Sequence, residues 1–196
     1  MPGKLTTKTI HLIRRVMALY KDRKKDFHMA FINLEKAYDR VPREVLWRCL
    51  EKKGVSVAYI QVIKDMNEGI KMIVRTFGRD TNEFPVDIRL HQASALSLFL
   101  FACVMDELPK RIQDEALWYM LFANDIILID ETRDEVNIKL EQWRRASESR
   151  GFKFSGSKTK HLRCSFSGGE EDNREVTIDG VVIPSIEKFI YLGSII

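Results

Sequence analysis

Residues 27–34, Phe-His-Met-Ala-Phe-Ile-Asn-Leu, are apolar on both alternating sets, so Phe27–Leu34 reads as a strand buried within a sheet. Ahead of it, Ile10, Leu12, Ile13, Val16, Met17, Leu19 and Tyr20 share one half of a helical wheel. Lys8, His11, Arg14, Arg15 and Lys21 take the other half, which predicts an amphipathic helix from Thr6 to Lys21 with a threonine cap. Behind the strand, Pro42 opens a helix through Val45, Leu46, Cys49 and Leu50 that Gly54 closes. Ser56 caps the next, with Ile60, Ile63 and Met66 inward and Gly69 at its end.

Residues 70–88 predict a hairpin that turns at Gly78-Arg79-Asp80-Thr81, with Pro85 marking an edge. Ser94 to Leu108 is a strongly apolar helix stopped by Pro109. Trp118–Phe122 and Ile126–Ile129 are apolar strands that meet at a tight turn, Ala123-Asn124-Asp125. Glu131–Arg150 is a charged helix that buries Val136, Leu140 and Trp143. Phe152–Phe154 and Lys160–Phe166 are strand candidates, and Val176–Ile178 with Val181–Ile183 form a hairpin around Asp179-Gly180. Phe189–Ile196 begins one more strand, and its abrupt stop suggests a piece of a longer polypeptide. This order is no repeating βαβ wind. It points to an α+β fold, a mainly antiparallel sheet with helices on one face.

The 196 residues suffice for one substantial core, and 45% hydrophobic with 31% charged residues exclude a disordered or fibrous chain. The longest unbroken apolar run, Leu98–Met105, is too short to span a bilayer, so no membrane role is expected. No secretory signal or other address is visible, so the compartment is not legible in these residues. Cys49, Cys103 and Cys164 are odd in number and far apart, as in a reducing compartment. The net charge of +4 is uneven: residues 1–26 carry +6 and the remainder −2. A basic segment beside an acidic body suits a polyanion, although a solvated helix face explains the same charges.

Polar residues interrupt two of the apolar strands, Asn33 in the first and Asn124-Asp125 between the later pair. Such breaks must be satisfied where they are buried, and they often mark sites. Two carboxylates converging at strand ends would make a divalent-metal site for phosphoryl transfer, but two of these three residues are amides.

The segment Phe31-Ile32-Asn33-Leu34-Glu35-Lys36-Ala37-Tyr38-Asp39-Arg40-Val41-Pro42 resembles motif A of reverse transcriptases from non-LTR (LINE-type) retrotransposons. Leu90-His91-Gln92-Ala93-Ser94-Ala95-Leu96-Ser97-Leu98-Phe99-Leu100-Phe101 resembles motif B, and Leu121-Phe122-Ala123-Asn124-Asp125 resembles motif C. Gly151-Phe152-Lys153-Phe154 with Lys158-Thr159 is similar to motif D, and Phe189-Ile190-Tyr191-Leu192-Gly193 to motif E. Order and spacing agree over nearly the whole chain. The resemblance implies one reverse transcriptase-like domain over 1–196: a basic lead-in (1–26), palm motifs A to D (27–166) and a truncated motif E region (167–196). It implies the palm of a right-hand polymerase with part of the fingers and little thumb, acting with Mg²⁺ on an RNA template, a DNA primer and dNTP.

The family pattern places metal-binding aspartates where this chain has Asn33 and Asn124, and Asp125 alone remains. By the same resemblance the Leu34 backbone carbonyl would face a metal, and Lys158 would protonate the leaving pyrophosphate. Tyr38 would pack on the nucleotide sugar and Gln92 would lie near nucleotide and template. A core aromatic, a helix-start amide and a surface lysine are the plain alternatives for Tyr38, Gln92 and Lys158. Motif B departs too, with Arg89 and Ala93 in place of glycines and Leu98 in place of a proline. His161 and Cys164 lie three apart but lack a second pair, which argues against zinc. The expectation is a polymerase domain that has lost its activity; the alternatives are a nucleic-acid-binding remnant or a fragment without function. The resemblance implies an intracellular place, nucleus or cytoplasm, and oligomeric state is not legible.

Overall fold

A computed structural model describes residues 3–68, 71–85, 95–112, 119–122, 124–168, 175–191 and 193–196 of the chain. In order these form α1 (Gly3–Asp22), β1 (Phe27–Asn33), α2 (Arg43–Lys52), α3 (Val57–Asn67), β2 (Lys71–Met72), β3 (Arg75–Thr76), β4 (Arg79–Asp80) and β5 (Phe84–Pro85). There follow α4 (Ala95–Met105), a 3-10 turn (Pro109–Arg111), β6 (Tyr119–Phe122), β7 (Asp125–Asp130), α5 (Arg133–Glu148) and β8 (Lys160–Cys164). Five short strands close the chain: β9 (Thr177–Ile178), β10 (Val181–Val182), β11 (Ser185–Ile186), β12 (Ile190–Tyr191) and β13 (Ser194–Ile195). Two compact units result, Met1–Glu35 with Arg111–Ile196, and Lys36–Lys110.

The first unit is built on a five-stranded sheet ordered β11-β8-β1-β7-β6. β1 is central and antiparallel to both β7 and β8, β6 is antiparallel to β7, and β11 runs parallel to β8. Phe27, Met29 and Phe31 enter one core with Ile127, Ile129, Leu162 and Cys164, which Ile13 and Val16 of α1 complete. On the other face Trp143 of α5 lies 5.1 Å from Tyr119, ring to ring. Tyr119 pairs with Leu128, and Leu128 with Ala30, so α5 covers the even-numbered side of β1. The α+β class and the mainly antiparallel sheet agree with the sequence, but helices cover both faces rather than one. A strand apolar on both sides requires it, because a bare face would leave large apolar side chains in water.

Helix α5 starts at Arg133, two residues later than expected, because Thr132 takes the N-cap. Its hydroxyl accepts from Glu135 N–H at 3.3 Å and donates to the Glu135 carboxylate at 2.7 Å. Thr132→Ala is expected to cost about 1 kcal/mol, read as a melting temperature lower by about 2–4 °C.

In the second unit α2 packs against α4, and the two helices bury Leu46, Cys49 and Leu50 on one side and Leu100, Phe101 and Val104 on the other. β2 pairs with β5 and β3 with β4.

Several local expectations are corrected. α1 begins at Gly3, so the threonines lie within it and do not cap it; good helix formers at Lys4 and Leu5 extend it by a turn. Leu12 and Leu19, assigned to its buried half, are 47% and 44% exposed, and the buried stripe is the narrower Ile13 and Val16. Met66 at the end of α3 is exposed, and Ser56 holds the N-cap position without a side-chain bond. The 70–88 hairpin turns earlier than expected, at Phe77-Gly78, where Gly78 takes φ +108°. Residues 152–154 form no strand, only a bridge from Phe154 to Leu34. Residues 189–196 fold back as a hairpin, β12 on β13, with Gly193 at φ +80°. The 177–182 hairpin is as expected, with Asp179 and Gly180 at φ +52° and +73°, the pair of left-handed residues a two-residue turn needs. Ser94, Trp118 and residues 86–88 lie outside the described residues. Cys49, Cys103 and Cys164 are all buried. Among the described residues no helix is long and apolar enough to cross a membrane.

Candidate functional site

β1 and β7 end side by side, and their register sets Asn33 opposite Asp125. Directly opposed side chains in an antiparallel pair lie within reach of each other, and Asn33 Nδ2 donates to Asp125 Oδ1 at 2.8 Å. β6 returns into β7 through Asn124, whose carbonyl accepts from Leu34 N–H at 3.1 Å. The segment after α5 is stitched to the same strand end: Glu35 N–H donates to the Lys153 carbonyl at 2.8 Å and Ser155 N–H to the Asn33 carbonyl at 2.9 Å. A tight turn, Lys158 N–H to Ser155 carbonyl at 3.1 Å, then brings Lys158 round.

These residues open onto a cavity of roughly 400 Å³ that Asn33, Asp125, Ser157, Lys158 and Lys160 share with Phe31, Phe189 and Tyr191. The aromatic wall is tight, with Phe31 and Phe189 4.1 Å apart and Phe31 and Tyr191 6.0 Å apart between ring centroids. Burial holds the Asp125 carboxyl above the usual carboxylate range, partly offset by the Asn33 amide and by the charge of Lys158. Burial, with the Asp125 charge nearby, also pushes the Tyr191 phenol above its ordinary value.

The structure thus gathers Asn33, Asp125 and Lys158 on one cavity and ties Asn124 and Leu34 to the same strand ends by their backbones. Tyr38 belongs to the second unit, where it stacks on Phe101 at 4.4 Å and burial raises its phenol pKa. Gln92, with the rest of 90–94 and Ala123, lies outside the described residues. Sequence reasoning passed over Tyr191 and Phe189 as site residues; their i, i+2 spacing on a strand is the signal that they share a face. His161 and Cys164 cannot act together, because three residues apart on β8 they face opposite sides of the sheet. His161 instead meets His28, Nε2 to Nδ1, at 3.0 Å.

A two-cation clamp needs several anionic oxygens converging on one point. The residues here do not supply them. Because a carboxylate only accepts, Asn33 must turn its N–H₂ toward Asp125 and occupy one of the two oxygens a cation would use. Among the described residues no group of three or more His, Cys, Asp or Glu is placed to hold a metal.

The model of the reverse transcriptase (RNA-dependent DNA polymerase) family matches residues 1–196. A Pol polyprotein of the type-1 retrotransposable element R2 from Popillia japonica is 24% identical over 204 residues, covering 96% of this chain and 34% of that protein. Its counterpart from Nasonia vitripennis is 24% identical over 190 residues, covering 87% and 18%. Telomerase from Candida tropicalis, truncated of its C-terminal domain, aligns with a TM-score of 0.60 at 15% identity, covering 92% of this chain and 38% of that one. The same telomerase in complex with a fragment of telomeric RNA aligns at 0.57 and 14%, covering 94% and 32%. The structural likeness is one of fold and establishes the polymerase-palm arrangement; this chain spans between 18% and 38% of the length of these proteins. With a family match along its whole length, the chain belongs to the reverse transcriptase (RNA-dependent DNA polymerase) family, as a domain of the non-LTR retrotransposon kind.

Proposed function

We propose that the chain is an RNA-directed DNA polymerase domain by descent that no longer carries out the reaction. The observation that supports this most directly is the 2.8 Å hydrogen bond from Asn33 to Asp125. At the position of a metal-binding carboxylate stands a neutral amide whose donor is directed at the remaining carboxylate. Asn124 removes a second negative charge from the same strand ends. Metal clamping of a phosphoryl-transfer transition state is worth several kcal/mol, and each ~1.4 kcal/mol is tenfold in rate. Loss of half of it lowers the rate by roughly three orders of magnitude. Asn33, Asn124 and Asp125 are therefore the determinants of inactivity, Lys158 a cation without its partner chemistry, and Mg²⁺ and dNTP the family's reactants rather than this chain's. Tyr38, Gln92 and the Leu34 carbonyl keep the family's nucleotide and metal positions in sequence. Primer extension on an RNA template with Mg²⁺ or Mn²⁺ is expected to show no product from the native chain. Extension at an ordinary polymerase rate would overturn the reading.

Retained nucleic-acid binding is the second reading, favoured by α1 and the turn after it. Lys8, Arg15, Lys21, Arg23 and Lys24 are all exposed there, while α1 itself is anchored by its buried stripe and by Arg14 bonding Ser194 at 2.8 Å. The related telomerase binds telomeric RNA, and RNA template or primer is the partner proposed here. Affinity for single-stranded RNA is expected to fall with salt at a log–log slope of about −2 to −3, as four neutralised phosphates give. A slope near zero would remove the electrostatic footprint.

A further inference from the structure

We infer that α3 is a self-association surface: its exposed apolar stripe, Tyr59, Val62 and Met66, docks antiparallel on the same stripe of a second copy of this chain. These residues follow one another at i, i+3 and i+7, so they share one side of the helix. They are 71%, 54% and 62% exposed. The opposite side of α3 is already covered. Ile60 is buried there, and Lys64 reaches over the Trp47 ring of α2 at 5.5 Å. A single exposed apolar residue needs no explanation, but a stripe aligned opposite a buried one does. A helix apolar on two sides is built to be covered on both.

Shape, charge and area select a second copy as the occupant. The two large side chains, Tyr59 and Met66, stand at the ends of the stripe and the smaller Val62 at its middle. Antiparallel pairing sets Met66 of one copy against Tyr59 of the other, a sulfur–aromatic contact made twice, and lets the helices approach closely at Val62. Negative side chains favour a helix N-terminus and disfavour its C-terminus. In α3 the order is reversed: no acidic residue lies in the first turn, while Asp65 and Glu68 stand exposed at the last. Gln61 holds Asp65 in place, donating to it at 2.8 Å. In an antiparallel pair these carboxylates meet the positive end of the other helix, where Ser56 makes no capping bond of its own. The exposed fractions leave roughly 350 Å² of apolar surface on each copy, which is the apolar share, about 60%, of the ~600 Å² a side that a small specific interface buries.

Sedimentation equilibrium of the native chain, from the low micromolar to the submillimolar range, is expected to fit a monomer–dimer equilibrium with a Kd on the order of 10–100 µM. Val62 lies nearest the two-fold axis, so Val62→Glu or Val62→Lys sets like charges against each other and should weaken the dimer more than about tenfold. An equimolar mixture of the two variants should recover it, because Glu then meets Lys. Position 62 faces solvent in the monomer. Both variants should therefore melt within about 2 °C of the native chain when dilute, which separates a lost contact from a lost fold. A native chain that is monomeric at every concentration overturns the inference and leaves the stripe to a different chain. A native dimer that both variants leave intact places the contact on another face and also overturns it. So does a mixture that stays monomeric, and so does a native series that grows past the dimer, since two-fold pairing closes on itself.

Discussion

The Asn33→Asp/Asn124→Asp double variant is expected to melt about 6–12 °C below the native chain in the absence of metal, and to regain most of that loss on addition of Mg²⁺ or Mn²⁺. Asn33 and Asp125 are cross-strand partners on half-buried strand ends, joined at 2.8 Å by an amide donor. Replacing that donor with a carboxylate removes the hydrogen bond and brings two like charges together. A lost partner at a buried charged group costs about 1–3 kcal/mol. Two carboxylates sharing one site cannot both ionise, so one must take up a proton at about 1.4 kcal/mol per unit of raised pKa. A total near 3 kcal/mol corresponds to the stated shift at about 2–4 °C per kcal/mol for a chain of this size. A cation bound only by the folded variant returns about 2.7 kcal/mol at one hundred times its Kd. The native chain should show neither the deficit nor the metal response. A variant that melts higher than the native chain without metal would refute the argument that the amides relieve repulsion. A native chain that gains as much from Mg²⁺ as the variant would show that other residues hold the cation.

That site was legible in the sequence only through resemblance. From residue patterns alone, Asn33 and Asn124-Asp125 were polar breaks in apolar strands, and nothing local says that position 33 lies opposite 125. Register is a long-range property, fixed when both strands bury their alternate faces against α1 and α5. What depends on one element's own period was readable, which is why Phe27–Asn33 and the Val136, Leu140, Trp143 stripe of α5 emerged as expected. Residues 189–196 read as one strand in the sequence because their apolar run conceals the turn. Gly193, in a conformation side chains avoid, lies at the reversal. Leu12 and Leu19 misled for a different reason: a helical wheel shows which residues share a side but not how much of that side a neighbour covers. Tyr191 as a site residue needed both kinds of information, the hairpin that turns it inward and the sheet end that receives it.

The same dependence on register produced a pair that no motif indicates, and it carries the second large expectation: folded stability should fall by about 2.5 kcal/mol between pH 7 and pH 4.5. His28 on β1 and His161 on β8 are diagonal neighbours, 6% and 2% exposed, with Nδ1 and Nε2 at 3.0 Å and rings stacked at 5.2 Å. One ring must donate and the other accept, so the pair is built for neutral imidazoles. Its surroundings offer an imidazolium little compensation. Across β1 the facing carboxylate, Asp130, is bonded to Lys139 of α5, and Arg163 on β8 is paired with Asp26. Arg133 at the start of α5 adds positive charge, and Ser185 on β11 lies 3.5 Å from His161 Nδ1. Burial first, then His28 and Arg133, lower the His161 pKa from 6.5 to about 4. Because the folded value lies below the unfolded one, the unfolded chain binds the extra proton first as pH falls. The stability is whole above pH 6.5 and drains away toward pH 4. Urea unfolding at pH 7, 6, 5 and 4.5 measures it, and most of the window lies above the ordinary range of carboxylates. His161→Gln, which cannot take up a proton, should flatten the profile there. A native profile flat from pH 7 to 4.5, or a variant that loses stability just as steeply, would show that the histidine pair does not set the acid limit of this fold.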